Sequence, residues 1–306
     1  MIVIVCPGQG SQTPGFLAPW IAEPHFRDHL ERLSDAAELD LVAHGTTSDA
    51  DTIRDTAVAQ PLIVAAGLLC LNALVSDNRR ERVGGIAGHS VGEITAAAGA
   101  GVLTEADAMS FVAARGRAMA TAAALTPTGM SAVIGADETE LLAQLAELGL
   151  SPANFNGAGQ IVVAGEPDGL AALAETPPTR ARVIPLQVAG AFHTRFMSPA
   201  VDSLTALAST MTTADPSLRL WTNRDGQQVA SGRDFLDLLV GQVSSPVRWD
   251  LCMQSFAAAG VTGVIELAPA GALTGLAKRG LKGVPTVAVK TPDDLPAAYE
   301  LFNQDV

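Results

Sequence analysis

Chemistry in this chain gathers around one stretch, Gly84-Gly85-Ile86-Ala87-Gly88-His89-Ser90-Val91-Gly92-Glu93. Within it, Gly88-x-Ser90-x-Gly92 has the spacing of a nucleophile elbow. In such an elbow a sharp turn between strand and helix lifts a serine hydroxyl clear of a sheet, and flanking glycines make room for the strained backbone. The apolar residues before Gly88 read as a short buried strand, and a helix is expected from Val91. The free N–H groups of its first turn would face the charge that develops when the serine attacks a carbonyl. A bare G-x-S-x-G also arises by chance, so the strand-turn-helix context is what favours Ser90 as a nucleophile.

A serine nucleophile needs a base. Of five histidines, His25, His29 and His44 stand in polar helical or turn surroundings and read as surface residues. His89 precedes the nucleophile and is expected to point away from it. Only His193 lies in a loop between apolar segments, directly after Phe192. A third candidate is Arg115. Phe111, Arg115 and Met119 recur every four residues and share a helix face, whereas Arg117 is rotated by about 200° and reads as a solvated charge. A guanidinium on an apolar face cannot shed its proton and needs an anion, either a carboxylate of the protein or one on a substrate.

These side chains need elements to hold them. Residues 2–6 form a continuous apolar run that reads as a buried strand, followed by the loop Pro7-Gly8-Gln9-Gly10-Ser11-Gln12. Thr13 stands where a dinucleotide fingerprint needs its third glycine, so that reading is rejected; the loop could instead bring N–H groups beside Ser90. Ala57 to Val75 predicts an apolar, buried helix with Pro61 near its start; Gln60 at its entrance is either a polar group of the cap region, the preferred reading, or a site residue. Thr104-Glu105-Ala106-Asp107 opens the helix that carries Arg115. Beyond Thr126 the pattern predicts strands at 130–134, 160–164 and 181–186 and helices at 138–148 and 167–174, with a further short strand possible in the loop 151–159. This is a small inserted subdomain of the split β-α-β kind. The last third alternates strand-like runs (218–222, 263–267, 286–289) with helices.

Composition bounds the rest. With 306 residues, 48% hydrophobic and 17% charged, the chain is globular and long enough for one large α/β domain or two smaller ones. A net charge of −13 argues against nucleic acid or an anionic membrane as partner. The apolar run Leu62 to Val75 is interrupted by Gly67 and Asn72 and reads as too short to span a bilayer. No basic leader precedes an apolar stretch at the N-terminus, and three dispersed cysteines in apolar segments suit a reducing compartment, so a cytoplasmic protein is expected. No metal-ligand spacing is found, and no cofactor is expected.

Taken in order, the motifs resemble one family along essentially the whole chain. They are Pro7-Gly8-Gln9-Gly10-Ser11-Gln12, Ala59-Gln60-Pro61, the Gly88 to Glu93 stretch, Arg115-Gly116, Asn154-Phe155-Asn156 and Ala191-Phe192-His193. Gln242 before Pro246-Val247-Arg248-Trp249, and Leu273-Thr274-Gly275-Leu276, complete the set. The resemblance is to the malonyl-CoA:acyl carrier protein transacylases, and the wording is most similar to actinobacterial members. It implies an α/β-hydrolase-like catalytic domain of residues 1–126 and 190–306, and a small ferredoxin-like subdomain of residues 127–189.

It further implies a ping-pong acyl transfer, in fatty-acid or polyketide synthesis, through a malonyl-serine at Ser90. His193 would be the base, oriented by the backbone carbonyl of Gln242 in place of a triad acid, with an oxyanion hole from the N–H groups of Gln9 and Val91. Arg115 would pair with the malonyl carboxylate, and Phe192 would narrow the pocket against an α-methyl branch. Malonyl-CoA and an acyl carrier protein are the implied partners, and a monomer is expected. Because carriers are acidic, a local basic patch is required: Lys278, Arg279 and Lys282 are preferred over Arg79, Arg80 and Arg82. A hydrolase on the same elbow would favour a triad acid and an H-G-G-G-type loop, and neither is apparent.

Overall fold

The structure is a computed structural model that describes residues 1–304; the last two positions of the 190–306 span lie outside the described residues. Its strands are β1 (Ile2–Cys6), β2 (Val83–Gly88), β3 (Gly129–Ile134), β4 (Ser151–Gly157), β5 (Gln160–Gly165), β6 (Arg182–Pro185), β7 (Arg219–Trp221), β8 (Val247–Arg248), β9 (Gly263–Glu266) and β10 (Thr286–Ala288). They form two sheets.

The first sheet has the order β10-β9-β1-β2-β7, and its pairs are parallel. β1 is buried along its whole length, which is why it reads as an unbroken apolar run: a parallel strand covered on both faces leaves no position for a polar residue. The helix Thr56–Leu74 packs against the helix Glu105–Leu125 on this sheet. The first of these helices starts before the apolar run, where Asp55 accepts the Ala57 N–H at 2.8 Å. At 19 residues it is long and apolar enough to cross a membrane, contrary to the expectation of a run too short. However, 78% of its most apolar window is buried inside the fold, so its apolar surface is spent on protein contacts.

The second sheet has the order β6-β3-β5-β4-β8. β3 pairs antiparallel with β5 and β6, and β4 antiparallel with β5, whereas β4 pairs with β8 in parallel. Helices Glu138–Glu147 and Pro167–Glu175 connect β3 to β4 and β5 to β6. The strand suspected in the loop 151–159 is β4. Its alternation is hard to read because Asn154 and Asn156 are buried polar residues on the wall of the main cavity. Arg248 of β8 stacks over the ring of Phe155 in β4, 4.5 Å from its centroid, and fastens β8 to the strand it pairs with. Cys6, Cys70 and Cys252 are buried free thiols, and burial pushes Cys70 up to about 12.

Candidate active site

β2 runs into a turn at His89-Ser90, and the helix Gly92–Gly99 follows at once. Ser90 has φ 54°, a left-handed conformation that strains an L-residue. The two glycines are steric requirements. A Cβ on Gly88 would lie 2.0 Å from the Gly92 carbonyl carbon, and one on Gly92 would lie 2.1 Å from the Cys6 carbonyl oxygen. No larger residue lets β1, β2 and the helix meet this closely.

The Ser90 hydroxyl donates to His193 Nε2 at 2.7 Å, and His193 Nδ1–H donates to the backbone carbonyl of Gln242 at 2.9 Å. The second bond fixes the tautomer, so the nitrogen facing Ser90 is free to take a proton. His193 is also left-handed (φ 63°), and its own N–H donates to the Val243 carbonyl at 3.0 Å. Burial, and then the charge of Arg115, push its imidazole down to about 3, against the pull of the Gln242 carbonyl. The imidazole is therefore neutral at neutral pH. The N–H groups of Gln9 and Val91 stand on the same cavity wall as Ser90 and meet no acceptor among the described residues. By contrast, the Ser90 N–H is consumed by Asn223 Oδ1 at 2.7 Å.

Arg115 is 1% exposed and lines this cavity, whose volume is about 440 Å³. Its Nη1 donates to Gln60 Oε1 at 2.6 Å and its Nη2 to Gln242 Oε1 at 2.8 Å. Both acceptors are neutral amides, and among the described residues no carboxylate comes within ion-pair distance of it. Burial lowers its pKa to about 10, opposed by Glu93, so it stays cationic at neutral pH. Phe192, 7% exposed, closes the same cavity with Met119 and Met130.

Several residues depart from the sequence reading. Gln60 is a site residue rather than a cap, 2% exposed and bonded to Arg115. His89 does not point away: it lines the cavity and its Nε2–H donates to Asn156 Oδ1 at 2.9 Å. His29 is buried and bonds Glu105 at 2.7 Å; the helix that looked solvated turns that side chain inward. Arg79, Arg80 and Arg82 are engaged within the fold, Arg79 over the Tyr299 ring and the other two with the carbonyls of Gly99 and Phe302. Lys278 and Lys282 are exposed, while Arg279 lines the cavity and donates to Gln160 Oε1 at 3.2 Å. Asn223 and Glu93 were missed as site residues. The signal for Glu93 was present, since it is an acid in a helix otherwise made of small and apolar residues.

Residues 3–293 match the acyl transferase domain family. The chain is 53% identical to the malonyl CoA-acyl carrier protein transacylase of Mycobacterium bovis, over 96% of this chain and 98% of that protein. It is 33% identical to the Escherichia coli K12 protein of the same name, over 97% and 98%. Its fold superposes on the crystal structure of MCAT from Mycobacterium tuberculosis with a TM-score of 0.94 and 52% identity, over 97% of this chain and 99% of that one. It also superposes, with a TM-score of 0.88 and 30% identity over 98% and 99%, on a malonyl-transacylase solved in complex with a type II polyketide synthase acyl carrier protein. With a serine elbow bonded to a buried histidine, a buried arginine beside it, and likeness to those proteins along nearly its whole length, the chain belongs to the malonyl-CoA:acyl carrier protein transacylase family of acyl transferases.

Proposed function

We propose that this protein moves the malonyl group from malonyl-CoA to the phosphopantetheine thiol of an acyl carrier protein. The observation that carries this reading is Arg115, a buried cation held by two neutral amides in the cavity that contains Ser90 and His193. A guanidinium has five N–H donors, and two are engaged here, so enough remain for a bidentate bond to a carboxylate.

In the first half-reaction Ser90 Oγ attacks the thioester carbonyl while His193 Nε2 takes its proton. The oxyanion is held by the N–H groups of Gln9 and Val91, and the coenzyme A thiolate leaves with the proton from His193. In the second, His193 deprotonates the carrier thiol, which attacks the malonyl-serine; the proton returns to Ser90 and frees the enzyme. Side chains and backbone amides supply each step, so the proposed reaction draws on no cofactor. Phe192 would narrow the pocket against an α-methyl branch, a discrimination of about 1–3 kcal/mol.

In this reading residues 1–126 and 190–306 make an α/β-hydrolase-like catalytic domain, and 127–189 a ferredoxin-like subdomain over its site. The parallel first sheet and the strand order of the second support that assignment. Arg279 on the cavity wall, with Lys278 and Lys282 on or just beyond the same helix, forms the docking patch for the acidic carrier. We place the reaction in the cytoplasm, where buried free thiols stay reduced, and the working unit is a monomer.

Intact-mass spectrometry after mixing with malonyl-CoA tests the chemistry. A malonyl adduct is expected on the wild-type chain and none on Ser90→Ala; an adduct that persists in the variant would place the nucleophile elsewhere.

A further inference from the structure

Glu93 has no part in the steps above, yet it is 1% exposed beneath the nucleophile. Its Oε1 accepts the backbone N–H of Asn223 at 2.6 Å, and its Oε2 accepts from the side-chain amide of Gln242. Both partners reach the site. Asn223 Oδ1 accepts the Ser90 N–H, and Asn223 Nδ2 donates to the Gly88 carbonyl at 2.7 Å. The Gln242 amide nitrogen also donates to the Ser90 carbonyl at 3.0 Å, while its oxygen accepts from Arg115.

A primary amide is nearly symmetric in shape, so its neighbours decide which end is oxygen. Around Gln242, Arg115 can only donate, and the Ser90 carbonyl can only accept. Glu93 supplies a second acceptor on the nitrogen side. Burial raises its pKa to about 8, but a carboxyl keeps acceptor capacity in either protonation state. Were the amide reversed, its NH2 would face the guanidinium and Arg115 would be pushed off line.

We propose that Glu93 is a positioning residue for substrate selection: by accepting from the Gln242 amide it fixes that amide's orientation, and so aims Arg115 at the acid group of the acyl chain. This rests on the reading of Arg115 given under Proposed function. Glu93→Gln separates the two branches, because its single amide oxygen can accept only one of the two donors; the Asn223 N–H is fixed in the backbone and claims it, whereas the Gln242 side chain can turn and loses its acceptor.

The test compares single-turnover acylation of Ser90 by malonyl-CoA and by acetyl-CoA in the full chain. Losing the oriented contact is expected to lower the malonyl-over-acetyl preference about 10-fold in Glu93→Gln. Gln242→Met keeps the backbone carbonyl for His193 but has no amide to orient, and should lower the preference by itself. It provides the same test if Glu93→Gln folds poorly. Added to Gln242→Met, Glu93→Gln should change the preference no further. Equal losses for both acyl donors, or effects that simply add, overturn the proposal. So does a crystal structure of Glu93→Gln in which the Gln242 oxygen still meets Arg115. A wild-type chain that takes no malonyl would count against the substrate reading alone, and the crystal structure would still decide the role of Glu93.

Discussion

At the scale of single residues, the site works by placing charge where solvent cannot reach it. Arg115 and His193 are coupled, since the cation of the first helps hold the second neutral. Truncating one partner of a buried, hydrogen-bonded charge pair costs several kcal/mol, so Arg115→Ala should lower kcat/KM for malonyl-CoA by roughly 100-fold or more. The pH dependence follows with a definite sign. In the proposed mechanism the neutral imidazole is the base, and burial holds it down to about 3, so the acid limb of kcat/KM should lie well below 6.5, the ordinary histidine value. Removing the cation removes one downward push, so in Arg115→Ala that limb should move to higher pH without reaching 6.5, because burial remains. A wild-type limb near 6.5 would contradict this account. Arg115 itself was legible, because its helical spacing placed a cation on an apolar face. Its supports were not. Gln60 read as a cap because a glutamine four residues into a helix says nothing about the face it shares with a distant arginine. Glu93 passed unremarked within the elbow pattern because its partners, Asn223 and Gln242, are about 130–150 positions away in sequence.

Among the elements, the elbow is held by close backbone approach more than by side-chain packing. Gly92→Ala should therefore fail even though alanine favours helices by up to about 1 kcal/mol over glycine. The added methyl would meet the carbonyls of Cys6 and Pro7, which belong to the exit of β1 and cannot move alone. A loss of about 3 kcal/mol or more in unfolding free energy is expected, along with the activity. Gly241→Ala is the contrast: it too is helical, its methyl would meet nothing within 4 Å, and it should be neutral to stabilising by up to about 1 kcal/mol. Chemical denaturation of both variants decides the matter, and a well-tolerated Gly92→Ala would refute it. Strands of the first sheet were easy to locate from sequence because both their faces are buried and the apolar runs are continuous. β4 was only suspected, since its asparagines serve the cavity, and β8 is two residues long, too short for any periodicity to show.

Taken as a whole molecule, the chain is acidic, with a net charge of −13, and must still meet an acidic carrier. The exposed Lys278 and Lys282 lie on or just beyond the helix Ala272–Gly280, which walls the cavity, so attraction there would deliver the carrier arm to Ser90. Reversing both, Lys278→Glu with Lys282→Glu, should raise KM for the carrier about tenfold at low salt while KM for malonyl-CoA holds. Steady-state kinetics against each substrate checks this, and parallel rises in both constants would remove the patch from consideration. Composition and motif order had disclosed the broad architecture, because burial and turn chemistry act locally. The edge of the second sheet had not been disclosed, since it depends on β8, a strand borrowed from far along the chain.

That loan sets a limit on protein engineering. β8 pairs with β4 only a few residues beyond Gln242. Transplanting residues 127–189 between relatives would leave the graft without its outer partner, or fit it to a foreign one whose register then tugs on the carbonyl that holds His193. A chimera made this way should carry the Gln242 to Trp249 segment along with the insert, as though the two were a single exon.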